Sequence, residues 1–174
     1  MPCDARSIAR VEVRLVTEQS YRMVGNPFKV GRFPTVDGQF SVRYAVANAL
    51  LRGTPELAHF TPESVRDPLL GDLAARVDVH LDPSIPGDYL VRAQTEIEWA
   101  DGTRTRRNVD HMTGSARAPL SEERLRYDFF QRAGFGKPTA SREHLETVLA
   151  AVDGIEGLAD VGAIPALTVV RREA

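Results

Sequence analysis

Residues 39–52 of this 174-residue chain read Gln-Phe-Ser-Val-Arg-Tyr-Ala-Val-Ala-Asn-Ala-Leu-Leu-Arg, and Gly53 follows them. Apolar side chains recur here with the period of a helix and form one stripe: Phe40, Tyr44, Ala47 and Leu51. Gly53 stands where the end of a helix accepts a left-handed residue. Because the alanines let a neighbouring element approach closely, we predict a buried helix over 39–52.

Strand patterns lie on both sides of this helix. Residues 8–16 alternate apolar and charged side chains, and Val77, Val79 and Leu81 alternate with Asp78 and His80 in the same way. Alternation with a period of two is typical of half-buried strands. The stretch between the first strand and the helix, 17–38, has no period and several Gly and Pro residues, so we predict a long surface connection.

A hairpin is predicted from 89–99 and 103–109, and its charges favour one register. A three-residue loop, 100–102, with Gly102 left-handed, places Glu98 opposite Arg104 and Glu96 opposite Arg106. A two-residue loop would place Glu98 opposite Thr105 instead. Opposite charges therefore favour the three-residue loop.

Short and long helices complete the pattern. Thr61-Pro62 and Asp67-Pro68 each place a capping side chain before a proline, which predicts two short helices between 61 and 76. After Pro119 the period is helical, with helices at 121–133 and 141–152 and a short apolar segment near 161–170. We therefore predict the α+β class, with an α+β domain at 1–117 and a helical segment at 118–174.

Composition excludes several classes of protein. At 43% hydrophobic and 26% charged residues, the chain has the composition of a soluble globular domain. A net charge of -2 gives no field to attract nucleic acid or an anionic membrane. No run approaches the roughly 20 apolar residues that span a bilayer. The N-terminus lacks the apolar stretch of a signal peptide, so we expect a cytoplasmic protein.

No self-contained metal site stands out. The chain has four histidines: His59, His80, His111 and His144. None has a second ligand at the spacing of a zinc-binding helix, so we expect no metal. His111 is the best candidate for a functional site, because it lies where the hairpin opens into a loop.

Nucleophiles are scarce as well. Cys3 is the only cysteine, which excludes an internal disulfide and a cysteine-rich metal site. The only lysines are Lys29 and Lys137, both in Gly/Pro-rich stretches without an adjacent acid/base partner. Residues 134–139 differ from a phosphate-binding loop because no strand precedes them and Pro138 follows the lysine.

The order of motifs resembles the MmgE/PrpD family of 2-methylcitrate dehydratase-like lyases and isomerases. The resemblance rests on the Phe-Ser-x-x-Tyr-x-x-Ala helix start at 40–47 and on a series of smaller motifs around it: the strand at 8–16, Pro34-Thr35, Phe60-Thr61, Asp67-Pro68, Asp101-Gly102, Gly114 and the helix start at 119–125. It covers about 8–167 and is similar to the C-terminal half of that family. It implies a lid at about 8–116 and helices from 119 onward that complete an all-helical domain.

The resemblance also implies an activity and a place for it. Enzymes of this family remove a proton next to a carboxylate of a small di- or tricarboxylate, without a metal or an organic cofactor. Their principal histidines, lysine and aspartate lie in an N-terminal half and in a segment just before the lid, which this chain does not contain. We therefore expect the isolated chain to be inactive.

Only the lid contribution to such a site can be assigned. Tyr44 is the candidate catalytic residue, because its phenol can hydrogen-bond a carboxylate or assist a proton transfer. The alternative places Tyr44 in the core stripe with its hydroxyl satisfied inside the protein. Arg43, Ser41, Gln39 and His111 are candidate substrate contacts, although Arg43 and Tyr44 face about 100° apart on a helix.

Three accounts of the chain stay open. A companion chain supplies the N-terminal half of a split enzyme; or the chain is a non-catalytic module that self-associates or binds a partner; or it is a truncated product without its own function. In the first two accounts the apolar faces of the terminal helices need a cover. We therefore expect a homo-oligomer or a companion N-terminal subunit.

Overall fold

The computed structural model describes residues 4–85, 92–136 and 139–169. Within these ranges the strands are β1 (Ile8–Leu15), β2 (Val77–Leu81), β3 (Ala93–Trp99) and β4 (Arg104–Val109). The α-helices are α1 (Glu18–Val24), α2 (Pro34–Gln39), α3 (Val42–Arg52), α4 (Pro62–Val65), α5 (Pro68–Ala74), α6 (Glu122–Ala133), α7 (Arg142–Asp153) and α8 (Ala163–Thr168). The chain divides into two compact units between Pro119 and Leu120. The predicted α+β class is confirmed.

The first unit is built on one mixed sheet with the strand order β2-β1-β3-β4. β1 pairs in parallel with β2 and antiparallel with β3, and β3 pairs antiparallel with β4. The connection between the parallel strands carries α1 to α5. α3, which forms most of the helix predicted at 39–52, therefore lies inside the crossover between the neighbouring strands β1 and β2.

The hairpin of β3 and β4 has the predicted register. Glu98 is opposite Arg104 and Glu96 is opposite Arg106. Gly102 has a φ of 83°, as the three-residue loop requires. Ion pairs of 2.9 Å and 2.5 Å join the two opposite pairs.

The core lies between this sheet and the helices of the crossover. Its buried members come from β1, β2, α3, α4 and α5: Ile8, Val11, Val13, Leu15, Tyr44, Ala47, Val65, Leu70, Leu73, Ala74, Val77 and Val79. The inward side chains of β1 alternate with charged ones, as the period of two predicts. Thr61 and Asp67 cap the two short helices α4 and α5 as predicted.

Two sequence predictions were wrong. The stretch 17–38 is not an irregular connection, because it contains α1 and α2. Thr17 caps α1 by accepting the N–H of Ser20 at 3.1 Å, and Tyr21 packs on the core. Such a short helix is stabilised by tertiary packing, which periodicity does not reveal.

Phe40 is the second correction. It was expected in the core stripe, but 55% of it is exposed. The reason is a break in the helix: α2 ends at Gln39, and Ser41 caps a new helix, α3. Phe40 therefore lies outside the periodic face that buries Tyr44 and Ala47.

The second unit consists of α6, α7 and α8. Ser121 accepts the N–H of Arg124 at 3.2 Å and starts α6 as predicted. None of the 12 residues of α6 is buried. Among the described residues of this unit, only Val148 of α7 is buried.

Candidate functional site

Tyr44 lies on the inward face of α3. It is 0% exposed, and its ring contacts Phe28 and Phe60 at centroid distances of 5.3 Å and 5.6 Å. Its hydroxyl donates a hydrogen bond to the main-chain carbonyl of His59. The phenol is therefore held by aromatic packing and by a specific acceptor inside the protein.

The surroundings of the Tyr44 phenol also shift its pKa. Burial raises the pKa of Tyr44 above its ordinary value, and the positive charge of the nearby Arg52 acts in the opposite direction. The net shift is upward, so Tyr44 is protonated at neutral pH. Chemically, it can act as a proton donor rather than as a base.

The other candidates at the start of α3 have different surroundings. Ser41 is buried, and its Oγ accepts the N–H of Tyr44 at 3.2 Å as the cap of the helix. Arg43 donates from Nη1 to the carbonyl of Val77 in β2. Gln39 is exposed at the end of α2. The structure thus brings these side chains to one end of α3, where Ser41 and Arg43 already have structural partners.

The fifth candidate lies elsewhere in the sheet. His111 is half-buried and follows β4 by two residues. β4 is the edge strand opposite to β2, the strand that α3 packs against. Sheet order therefore does not place His111 beside α3.

Four polar residues near Tyr44 were missed by sequence reasoning: Asn48, Arg52, His59 and Asp67. Asn48 is 0% exposed, and its Nδ2 lies 3.3 Å from Nδ1 of His59. Arg52 forms an ion pair of 2.9 Å with Asp67. A signal was present in the sequence, because Asn48 and Arg52 follow Tyr44 at intervals of four and so share its helix face.

An apolar surface flanks the same end of α3. Phe33, Val36 and Phe40 are exposed and recur at spacings of three and four along α2, with exposed Val30 in the preceding loop. We call these four residues the α2 patch. The guanidinium of Arg32 lies 5.6 Å from the centroid of the Phe33 ring. Exposed apolar groups on one face are typical of a surface that binds another element.

Residues 4–85, 92–136 and 139–169 contain no group of three or more histidine, cysteine or acidic side chains arranged to hold a metal ion. No helix in this part of the chain is long and apolar enough to cross a membrane. Cys3 and Lys137 lie outside the described residues.

The first unit combines a mixed sheet with the helices of its crossover, and the second unit is helical. The sequence model of the MmgE/PrpD C-terminal domain matches residues 2–150. The chain therefore belongs to the MmgE/PrpD family.

A curated relative agrees with this assignment. The chain is 27% identical over 164 residues to cis-aconitate decarboxylase of Mus musculus, a match that covers 94% of this chain and 32% of that protein. The chain thus spans about a third of the length of this relative.

Proposed function

We propose that this chain forms the lid and the C-terminal helices of an MmgE/PrpD-type lyase or isomerase. It acts on a small di- or tricarboxylate by proton abstraction and elimination, together with an N-terminal catalytic half. Family membership and a curated decarboxylase relative support this proposal. The domain assignment, a lid at 1–117 and returning helices at 118–174, is part of it.

The burial pattern of the second unit carries the proposal. α6 contains Leu125, Tyr127, Phe129 and Phe130, yet none of its residues is buried. Leu125 and Tyr127 are exposed, and Phe129 and Phe130 are only half-buried. Complete burial of such a side chain contributes roughly 1.5–3 kcal/mol, so part of this stabilisation is missing from the helix. These helices need a further apolar surface, and the N-terminal helical half of the family supplies one.

Tyr44 is the proposed acid of the lid. Because its phenol is protonated at neutral pH, it can donate to the hydroxyl that leaves as water or to the carbanion formed when carbon dioxide is lost. Its proton is engaged by the His59 carbonyl, so the substrate oxygen replaces that carbonyl as acceptor. Gln39, Ser41, Arg43 and His111 remain proposed substrate contacts.

The alternative proposal is a non-catalytic module that self-associates or binds a partner through the same surfaces. The exposed apolar residues of α6 and the α2 patch support it equally well. Its distinguishing property is a stable assembly without catalysis. In both proposals the cytoplasm is the expected compartment.

Reconstitution separates the two. The chain is combined with an N-terminal half, either joined in the same polypeptide or encoded by a neighbouring gene, and the loss of carbon dioxide or water from cis-aconitate and related tricarboxylates is followed. We expect Tyr44→Phe to lower kcat by about 10²-fold or more, as removal of a general acid does. The matched control is Tyr21→Phe on α1, a half-buried tyrosine outside the proposed interface, which should keep its activity.

Each outcome has a defined meaning. Full activity of Tyr44→Phe would remove Tyr44 from the site. A homo-oligomer that neither binds the N-terminal half nor converts any tricarboxylate would support the non-catalytic module.

A further inference from the structure

Three polar side chains follow one another along a buried face of α3. Tyr44, Asn48 and Arg52 are spaced by four residues and therefore share one side of the helix. Tyr44 and Asn48 are 0% exposed. Because a buried polar group without a partner is costly, this face must be matched by polar groups of another segment.

The matching segment is the 3-10 turn Leu57–Phe60, which carries His59. His59 contacts the polar face of α3 through its main chain and through its side chain. Its main-chain carbonyl accepts the hydroxyl proton of Tyr44, and its ring nitrogen Nδ1 lies 3.3 Å from Nδ2 of Asn48. One residue thus contacts both polar groups that α3 buries.

The ring of His59 has a defined protonation pattern. The main-chain N–H of Glu56 donates to Nδ1 at 3.2 Å, and the Glu56 side chain accepts the N–H of His59 in return. A main-chain N–H is always a donor, so Nδ1 must be an acceptor. The proton of the neutral ring therefore lies on Nε2.

The orientation of Asn48 follows from this. With Nδ1 as an acceptor, the side-chain amide of Asn48 must direct its NH₂ group toward the ring. Its Oδ1 is then buried without a hydrogen-bond partner among the described residues. A buried carbonyl without a partner costs about 1–3 kcal/mol. The contact between the Asn48 amide and the His59 ring offsets part of this cost.

We propose that His59 is a positioning residue for Tyr44. Asn48 and Glu56 hold the imidazole in its Nε2–H form, and the fixed ring places the His59 carbonyl where it orients the phenolic proton. This role rests on the proposed function, in which Tyr44 is the proton donor of the lid. His59 itself touches no reacting atom in this scheme.

The arrangement gives the Tyr44 hydroxyl a direction. Its proton points to the His59 carbonyl, and the nearby Arg52 guanidinium, which affects the phenol electrostatically, is held by Asp67 at 2.9 Å. The charged and titratable groups around the phenol are therefore Arg52, Asp67 and the His59 ring. A hydroxyl with one fixed acceptor can exchange that acceptor for a substrate oxygen without searching other rotamers.

Nuclear magnetic resonance of the chain tests the positioning without any substrate. Long-range nitrogen–proton correlations should show the proton of His59 on Nε2, and the Tyr44 hydroxyl proton, assigned by its loss in Tyr44→Phe, should exchange slowly with water. We expect His59→Ala to speed that exchange at least tenfold. His59→Asn keeps an acceptor at the place of Nδ1 and should restore slow exchange. His80→Ala, on the outward face of β2, is the matched control and should change neither signal.

Activity of the reconstituted enzyme gives a second readout. We expect His59→Ala to lower kcat about tenfold with little change in KM, and His59→Asn to recover most of it. A ring proton on Nδ1, or hydroxyl exchange that is equally slow in His59→Ala, would overturn the positioning role. If these signals behave as expected but Tyr44→Phe is fully active, the contact stands and the proposed function of Tyr44 fails.

Discussion

Gly38 tests the packing that fixes Tyr44. A Cβ atom added at this glycine of α2 would lie 2.9 Å from Cγ2 of Val65 and 3.3 Å from Cε1 of Tyr44. Both neighbours are buried in the core. Valine is stiff about its first side-chain torsion, so the contact can be relieved only by moving α2 or the Tyr44 ring.

The expected cost follows from two opposing effects. Overpacking of a well-filled core costs about 1–3 kcal/mol. Alanine is favoured over glycine by up to about 1 kcal/mol inside a helix, and less at Gly38 because α2 ends one residue later. We therefore expect Gly38→Ala to lower the free energy of unfolding by about 1–2 kcal/mol.

Gly71 of α5 is the matched control, because an added Cβ would meet no atom within 4 Å. Gly71→Ala should raise the free energy of unfolding by about 0.5–1 kcal/mol. Urea unfolding followed by circular dichroism and by the fluorescence of Trp99 measures both changes. If Gly38→Ala is as stable as Gly71→Ala, the close approach of α2 to Tyr44 is refuted.

Three further substitutions have defined outcomes. Ser41→Ala removes the cap of α3 and should lower the free energy of unfolding by about 1 kcal/mol; an unchanged urea midpoint would show that the cap is dispensable. Gly102→Ala forces a positive φ on a residue with a side chain and should cost about 1 kcal/mol in thermal unfolding, whereas an equal melting temperature would contradict the loop type. The pKa of Glu96 is held below its ordinary value, chiefly by its hydrogen bond to Arg106. Its stabilising effect is therefore present above the ordinary value and is lost as the pH falls through the lowered one. Glu96→Gln should flatten the loss of stability as the pH falls below 4.5, the ordinary pKa of a glutamate, and an identical acid slope would argue against the pairing.

Elements with a strong local signal could be predicted from the sequence. The alternation of β1, the capped prolines of α4 and α5, and the charge pattern of the hairpin each correspond to an observed element. The helix pair α1 and α2 could not be predicted, because their short sequences are helical only through packing on the core. The burial of Phe40 was predicted wrongly for a related reason. Ser41 caps a new helix, so the helical period of α3 does not continue back into α2.

Of the candidate site, only the residues on α3 could be predicted from the sequence. Tyr44 and its neighbours on α3 stand close together in the sequence, and the family motif draws attention to them. His59 and Asp67 join Tyr44 and Arg52 only because the chain turns back after α3. Contacts of this kind depend on tertiary structure, and no spacing rule connects the residues that make them.

The crossover between β1 and β2 has a consequence for how the chain folds. Arg10 and Asp78 form an ion pair on neighbouring strands although they are 68 residues apart in sequence. Bringing such distant segments together is entropically costly and slows folding. During synthesis, β1 is made before β2 and β3, so both of its edges stay unpaired until those two strands follow. The contacts around Tyr44 are short-range by comparison, because Tyr44 and His59, and likewise Arg52 and Asp67, are only 15 residues apart. We therefore expect them to form before β1 pairs with β2.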